Sequence, residues 1–396
     1  MYLLVSHMLP VRYRRCNQLM TEPRIVEQYS VADLLAGGTS VTSTLQWVAL
    51  APHLSAPIPL DEAMLLAIGR LPPERWSVPD APTAVPVLER LVAVGLAFRE
   101  DGPQTPMLQN EEAFTTTAWW TPAAVMHQLA RWENQDSVEA LREAGMETAA
   151  GLCARLGSPP PAMLDTGPDA VALPAPADMP FDAWLKRRAT CRNFDRMRNV
   201  DLASVSRLLW RTLGSHGEQR EGEQAVFLKK NVPSAGGLHP TDAYLLVQAV
   251  DGLKPGLYRY HAGSHALDPV DTHEQNSAAL ARRFVAGQEW FSNAHVLLIL
   301  APRFARTFWK YRQHPKAYRA VILDVGHVSQ LLLSCATEQG LGAFVTAAIN
   351  EKDIEQVLGL DPMQQSPMAI CGIGWRSEQM TTSEFDPGHQ VWQPLD

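Results

Sequence analysis

No two cysteines in this sequence stand close together. Cys16, Cys153, Cys191, Cys335 and Cys371 are odd in number and never form a C-x-x-C pair. That excludes a disulfide framework and a zinc site of the usual spacing, and it fits a reducing, cytoplasmic compartment. A block of cationic residues is missing as well: 34 Lys and Arg stand against 42 Asp and Glu, a net charge of −8. A general nucleic-acid binder needs a dense cationic face, so no nucleic-acid partner is expected. No apolar run reaches the length of a membrane span, so no membrane is expected either. The opening MYLLVSHMLPVRYRRCNQLM puts apolar residues before basic ones, the reverse of a secretory signal.

What the sequence does have is an ordinary globular composition. Its 396 residues are 46% apolar and 19% charged, enough for a real core in two or three domains. The stretch GSPPPAMLDTGPDAVALPAPADMP is rich in Pro, Gly and Asp with no apolar period, so residues 157–180 read as an extended linker. The expected division is a tail over 1–24, an N-terminal domain over 25–156, this linker, and a C-terminal domain over 181–396.

The N-terminal domain offers SVADLLAGG, TLQWVALAPHL, LDEAMLLAIGRL and AVPVLERLVAVGLAFRE. In the last, Val85, Val87, Leu88, Leu91, Val92 and Leu96 are apolar, a helical stripe ending at Gly95, and LAFRE follows as a strand. Helix, glycine, strand is the order of a recognition helix entering a wing, so a winged-helix-like module is expected. Only Arg90 and Arg99 stand near that helix, too few for phosphate contacts. Such a module can instead take a peptide along its wing by strand addition, or serve only as support.

The C-terminal part alternates. FDAWLKRRA, LASVSRLLWRTLG, EQNSAALARRFVAG, YRAVILDVGHVSQLLLSCATEQG and EKDIEQVLGL read as helices. DAYLLVQAV, GLYRYHA, HVLLILAP and PMAICGIGW read as strands, so the fold class is α+β. The longest helix is apolar nearly all round and must be covered on several sides, which suggests a subunit interface. His261 and His265 flank Ala-Gly-Ser and read as a hairpin turn, not as metal ligands.

Four constellations carry chemistry. Arg188 and Arg192, with Thr190 between them, can grip a phosphate, although R-x-x-x-R also suits a solvated helix face. Pro233-Ser234-Ala235-Gly236-Gly237 is a loop stripped of side chains, which serves either as a tight turn or as a bed for a flat ligand. Gly340 to Ala343 closes the long helix, and AFVTAAIN follows with small residues whose N–H groups can face a site. Lys310-Tyr311 lies among aromatic residues; Lys310 either snorkels at the surface or, partly buried against Phe308 and Trp309, acts as a base.

In order and spacing these four resemble the nitroreductase-like flavoenzyme superfamily, and within it the SagB-type dehydrogenases that act on ribosomally made peptides. RRATCRNF is similar to that family's R-[RX]-S-x-R-x-F, with Thr190 in place of serine. PSAGGLHP is similar to P-S-A-G-G-x-Y-P, with His239 at the usual tyrosine. KYRQHPKAYRAVILDVGHVSQ is similar to K-Y-x-x-R-x-Y-R followed by E-A-G-H-x-x-Q, its first arginine displaced by HPK. GLGAFVTAAINEKDIEQVLGLD is similar to G-L-G-x-x-x-x-G-x-x-D and L-G-L-D, with Ala347 at the usual glycine. The likeness runs from Arg187 to Arg376.

The resemblance implies FMN as cofactor. Pro233, Ser234, Ala235, Gly236 and Gly237 would lie against it, Arg188, Arg192 and Arg376 would hold its phosphate, and Thr190 its pyrimidine edge or ribityl chain. Gly342 and an N–H of Ala347 or Ala348 would line the site. Lys310 and Tyr311 would be the acid/base pair, with His239 and Tyr318 as reserves. The activity implied is oxidation of azoline rings in a precursor peptide by a homodimer, with a cyclodehydratase as partner. Another α,β-dehydrogenation of a peptide residue, an NAD(P)H-dependent nitro- or quinone reductase, and an inactive flavin-fold binding subunit remain open.

Overall fold

The structure is a computed structural model that describes residues 10–29, 35, 41–274 and 276–392. The segment SVADLLAGG therefore lies, but for Leu35, outside the described residues. The chain divides into two compact units, residues 1–130 with 311–317, and residues 131–310 with 318–396.

In the first unit β1 (Tyr13–Arg15) pairs antiparallel with β5 (Ala97–Arg99), and β2 (Met20–Tyr29), β3 (Val41–Leu50) and β4 (Ile58–Leu60) form a second sheet. Helix α1 (Glu62–Arg70) begins where the Asp61 carboxylate accepts the N–H of Met64 at 2.8 Å. Helix α2 (Val85–Ala93) ends before Gly95, whose φ is +77° and whose Cα faces Met107, so a side chain there meets both strain and a clash. The chain then enters β5, so the expected helix–glycine–strand order is present. Helices α3 (Pro106–Thr117) and α4 (Thr121–Ala130) follow. Tyr13, Met64, Ile68, Leu88, Leu91, Leu96 and Phe98 share one core.

Two expected boundaries move. Residues 10–24 are no tail, because β1 and the start of β2 lie there and Tyr13 and Cys16 are buried. Residues 131–156 group with the second unit. The N–H groups of Trp132 and Asn134 donate to Glu351 and Asp353 at 2.8 and 2.7 Å, and Asn350 bonds both ways with Gln135. From 157 to 179 the chain has no helix or strand and is exposed throughout.

The second unit is built on an antiparallel six-stranded sheet of order β12-β11-β9-β13-β15-β14. Its members are β9 (Thr241–Val247), β11 (Gly256–His261), β12 (Ala266–Val270), β13 (Val296–Pro302), β14 (Gly342–Thr346) and β15 (Ala369–Gly374). Small pairs flank it: β6 (Val200–Asp201) with β10 (Val250–Asp251), and β7 (Gly217–Glu221) with β8 (Ala225–Lys229). All seven residues of β13 are buried, as a central strand covered on both faces requires. Leu298 and Leu300 face one core, with Val205, Val325 and Leu332; Leu297 and Ile299 face the other, with Phe284, Phe344 and Ile354.

Helices α5 (Pro180–Arg187), α6 (Leu202–Thr212), α7 (Ser277–Phe284), α8 (Ala317–Glu338) and α9 (Glu351–Leu358) stand where the sequence places them. Helix α8 is long and apolar enough to cross a membrane by length and composition alone, a test that a buried core helix also meets. Half of it is buried against the sheet, as in a core helix, while Ile322 and Leu323 are exposed. It ends at Gly340, φ +76°, with Leu341 N–H returning to Ala336 at 2.8 Å. His261 and His265 stand at the expected β11–β12 hairpin; His261 meets Asp268, His265 meets Ser206 and Tyr260, and no metal-binding cluster occurs among the described residues.

Candidate functional site

The segment after α5 runs beside the edge strand β14. Thr190 bridges Ala343 in parallel, and Cys191 N–H donates to Ala343 O at 2.9 Å. Phe194 in turn bridges Arg376, just beyond β15. Arg188, Thr190, Arg192, Gly342, Ala347, Ala348 and Arg376 are thus gathered on one edge of the sheet. A Cβ on Gly342 would lie 2.5 Å from Cys191 Sγ, so packing against the neighbouring segment already requires this glycine.

The cations at this edge differ sharply. Arg376 is partly buried and ion-paired with Glu384, whose side chain is wholly buried. Glu384 also accepts from the N–H groups of Arg192 and Asn193, from Asn193 Nδ2 at 2.8 Å and from Trp392 Nε1 at 2.8 Å. The expectation that Arg376 holds a phosphate therefore meets a competing buried carboxylate. The guanidiniums of Arg188 and Arg192 have no carboxylate partner among the described residues; that of Arg192 meets the carbonyl of Ser383, at 3.3 Å, and the ring of Phe291. Two guanidiniums without a counter-charge, with the Thr190 hydroxyl between them in sequence, are a donor set that fits a terminal phosphate.

The loop 233–237 is organised elsewhere in the same unit. Gly236 and Gly237 have φ of +64° and +68°, and a Cβ on Gly237 would meet nothing within 4 Å. Backbone conformation rather than crowding demands glycine there, and the space beside Gly237 is open. Ser234 Oγ donates to Asp324 Oδ2 at 2.5 Å and accepts His239 N–H at 2.9 Å, while Ala235 N–H donates to Asp324 Oδ1 at 3.2 Å. Along the sheet, β9 and β14 are separated by β13 and β15. Three strand spacings amount to about 14 Å, so the loop before β9 and the arginine edge beside β14 stand at different positions along the sheet.

Sequence reasoning missed Asp324 and Lys230. Asp324 occupies the acidic position of the DVGH stretch, a signal that was there to read. Burial pushes its carboxyl above the usual range, against the lowering effect of the Ser234 and Ala235 bonds. Lys230 is buried beside the loop, and burial brings its amine down to about 8. His239, with φ of +46°, is brought down to about 4 by burial and then by the charges of Lys230, Arg306 and Lys229, so its ring is neutral at neutral pH.

The other expected residues separate on inspection. Ala348 N–H already donates to Thr346 Oγ1 at 3.2 Å, whereas Ala347, the other expected backbone donor, is exposed just beyond β14. Lys310 is exposed rather than partly buried, because Phe308 turns into the core and Trp309 remains 56% exposed. Tyr311 is half-buried and begins the segment that groups with the first unit. Tyr318 is buried, and desolvation pushes its phenol up, so it is poorly suited to release a proton.

Residues 185–375 match the nitroreductase family model. A protein of Methanocaldococcus jannaschii named as a nitroreductase is 32% identical over 38% of this chain and 72% of its own length. The trifolitoxin-processing protein TfxB of Rhizobium leguminosarum bv. trifolii is 30% identical over 36% of this chain and 38% of its own. The microcin B17-processing protein McbC of Escherichia coli is 26% identical over 37% of this chain and 54% of its own. The match thus spans less than two thirds of either peptide-processing relative. A match to the family model across the sheet and a relative 32% identical over 72% of its own length make this chain a member of the nitroreductase family.

Proposed function

We propose that this chain is an FMN-dependent dehydrogenase that oxidises azoline rings to azoles in a ribosomally made precursor peptide. The observation that carries the cofactor is the pair Arg188 and Arg192, two guanidiniums without a carboxylate partner at the edge of β14. The substrate class rests on similarity to two peptide-processing proteins. Under this reading Arg188 and Arg192 hold the phosphate, Thr190 a neighbouring oxygen, the loop 233–237 the flat ring system, and Ala347 N–H its reactive edge. When bound, FMN supplies the acceptor for the hydride that leaves Cβ of the ring.

The protein's own residues orient the peptide and remove the Cα proton. Lys310 and Tyr311 are the proposed acceptors. A homodimer is part of the proposal: the loop and the arginine edge, at different positions along one sheet, become a single site when a second copy supplies the loop. The exposed Ile322 and Leu323 of α8 offer an apolar face for that copy. A cytoplasmic location, a cyclodehydratase partner and a winged-helix-like role for the first unit complete the reading.

The test is flavin content. The purified protein is expected to be yellow and to release FMN rather than FAD on denaturation, since nothing in the sequence offers a G-x-G-x-x-G after a strand. Colourless protein that FMN cannot reconstitute ends this reading.

A further inference from the structure

The first unit contains a cavity of about 470 Å³, within the range of small-ligand pockets. Its lining includes Gln18, Glu74, Thr115, Trp119, Trp120 and Gln313. Gln18 is only 7% exposed, and its Oε1 has no hydrogen-bond partner. Its Nε2 donates to the carbonyl of Trp119 at 3.2 Å, which fixes the orientation of the amide. An unmet buried acceptor costs free energy unless something donates to it. Glu74 is the one charged side chain among the described lining residues. The cavity therefore favours a neutral or cationic occupant rich in N–H donors and disfavours an anion.

The cavity has a second distinguishing feature. Ala118 and Gln313 both adopt positive φ, +58° and +50°, which is unfavourable for residues with a Cβ. The Gln313 N–H donates to Ala118 O at 2.9 Å, so two strained turns are locked together at the cavity wall. Gln313 lies two residues after Tyr311 in the chain. An occupant of this cavity would touch the segment that carries one half of the proposed acid/base pair.

We infer that this cavity is a binding subsite for an uncharged or basic stretch of peptide. A peptide N–H donates to Gln18 Oε1, an apolar side chain packs on the half-buried Trp120, and Glu74 favours a nearby cation. The inference rests on the peptide-substrate reading above and adds where part of the peptide is held. A peptide presents an N–H donor for Gln18 Oε1 and small apolar groups for Trp120, and its backbone carries no charge.

The test uses the full chain and three pools of capped tetrapeptides built from Gly, Ser, Pro and Leu: one uncharged, one with a single Lys, one with a single Asp. Binding is followed by tryptophan emission and calorimetry. The uncharged and Lys pools are expected to saturate, and the Asp pool to bind at least about tenfold more weakly. Gln18→Leu should weaken the first two pools about tenfold, the size of one lost hydrogen bond at the upper end of the neutral range. Glu74→Gln alters an exposed side chain and should narrow the gap between Lys and Asp pools. Failure of all pools to saturate, as when only water meets Gln18, overturns the inference; so does equal binding by wild type, Gln18→Leu and Glu74→Gln. Flavin content is measured on the same samples, so a colourless protein that still binds peptides ends the flavin reading alone.

Discussion

Ser234 and Asp324 are joined by a 2.5 Å hydrogen bond between the loop 233–237 and helix α8. Asp324 accepts from Ala235 N–H as well, so one buried carboxylate sets the course of the loop proposed to bed the flavin. Asp324→Ala should weaken FMN binding about tenfold or more, since hydrogen bonds to a charged group are worth roughly 1.5–3 kcal/mol. Fluorescence titration of FMN into the apoprotein measures this, with Asp324→Asn retaining part of the affinity. Equal affinity in all three proteins would detach the loop from the cofactor.

The arginines at the β14 edge should separate by task. Arg188→Ala and Arg192→Ala are expected to reduce the preference for FMN over riboflavin, because the phosphate is the difference between those ligands. Arg376→Met leaves Glu384 buried with its ion pair broken, a loss of about 3–5 kcal/mol for such pairs. It should lower the melting temperature strongly while keeping the FMN-to-riboflavin preference. A collapse of that preference in Arg376→Met would restore Arg376 as a phosphate ligand.

Lys310→Ala and Tyr311→Phe should keep flavin occupancy while slowing peptide oxidation by about 10²–10⁴-fold, the range for loss of a general base. Occupancy and rate are read on the same samples. Wild-type rates in both variants would make the pair structural.

Burial raises the carboxyl of Glu351 to about 7, against the Trp132 N–H bond that lowers it. A carboxyl whose folded value lies above its unfolded one stabilises the protein fully below the unfolded value, and that contribution is lost as pH rises through about 7. Glu351→Gln removes the titration and keeps an acceptor for Trp132. Its melting temperature relative to wild type should therefore rise between pH 5 and pH 8. A pH-independent difference would show that Glu351 does not titrate in this window.

Much of the second unit was legible because its elements carry strong periods. VLLILAP could only be a strand covered on both faces, and α6 shows its stripe at Val205, Leu208 and Leu209. The hairpin β7–β8 was not legible: GEQRE is exposed along its whole length and carries no buried face to mark it. β1 was hidden inside RYRR, because Arg14 is buried only by virtue of Glu111, which it meets at 2.9 Å from far along the chain. At the candidate site, motif spacing singled out the arginines and the glycine loop that the proposal uses. It could not show that Glu384 claims Arg376, since that carboxylate comes from a segment without regular structure.

The most direct test of the account is anaerobic mixing of the FMN-loaded protein with an azoline-bearing peptide in single turnover. The account predicts bleaching of the flavin absorbance in step with a loss of about 2 Da from the peptide for each ring oxidised, with no NAD(P)H present. Flavin that stays oxidised with azoline peptides, yet bleaches rapidly with NAD(P)H, would contradict it and leave a nitro- or quinone reductase.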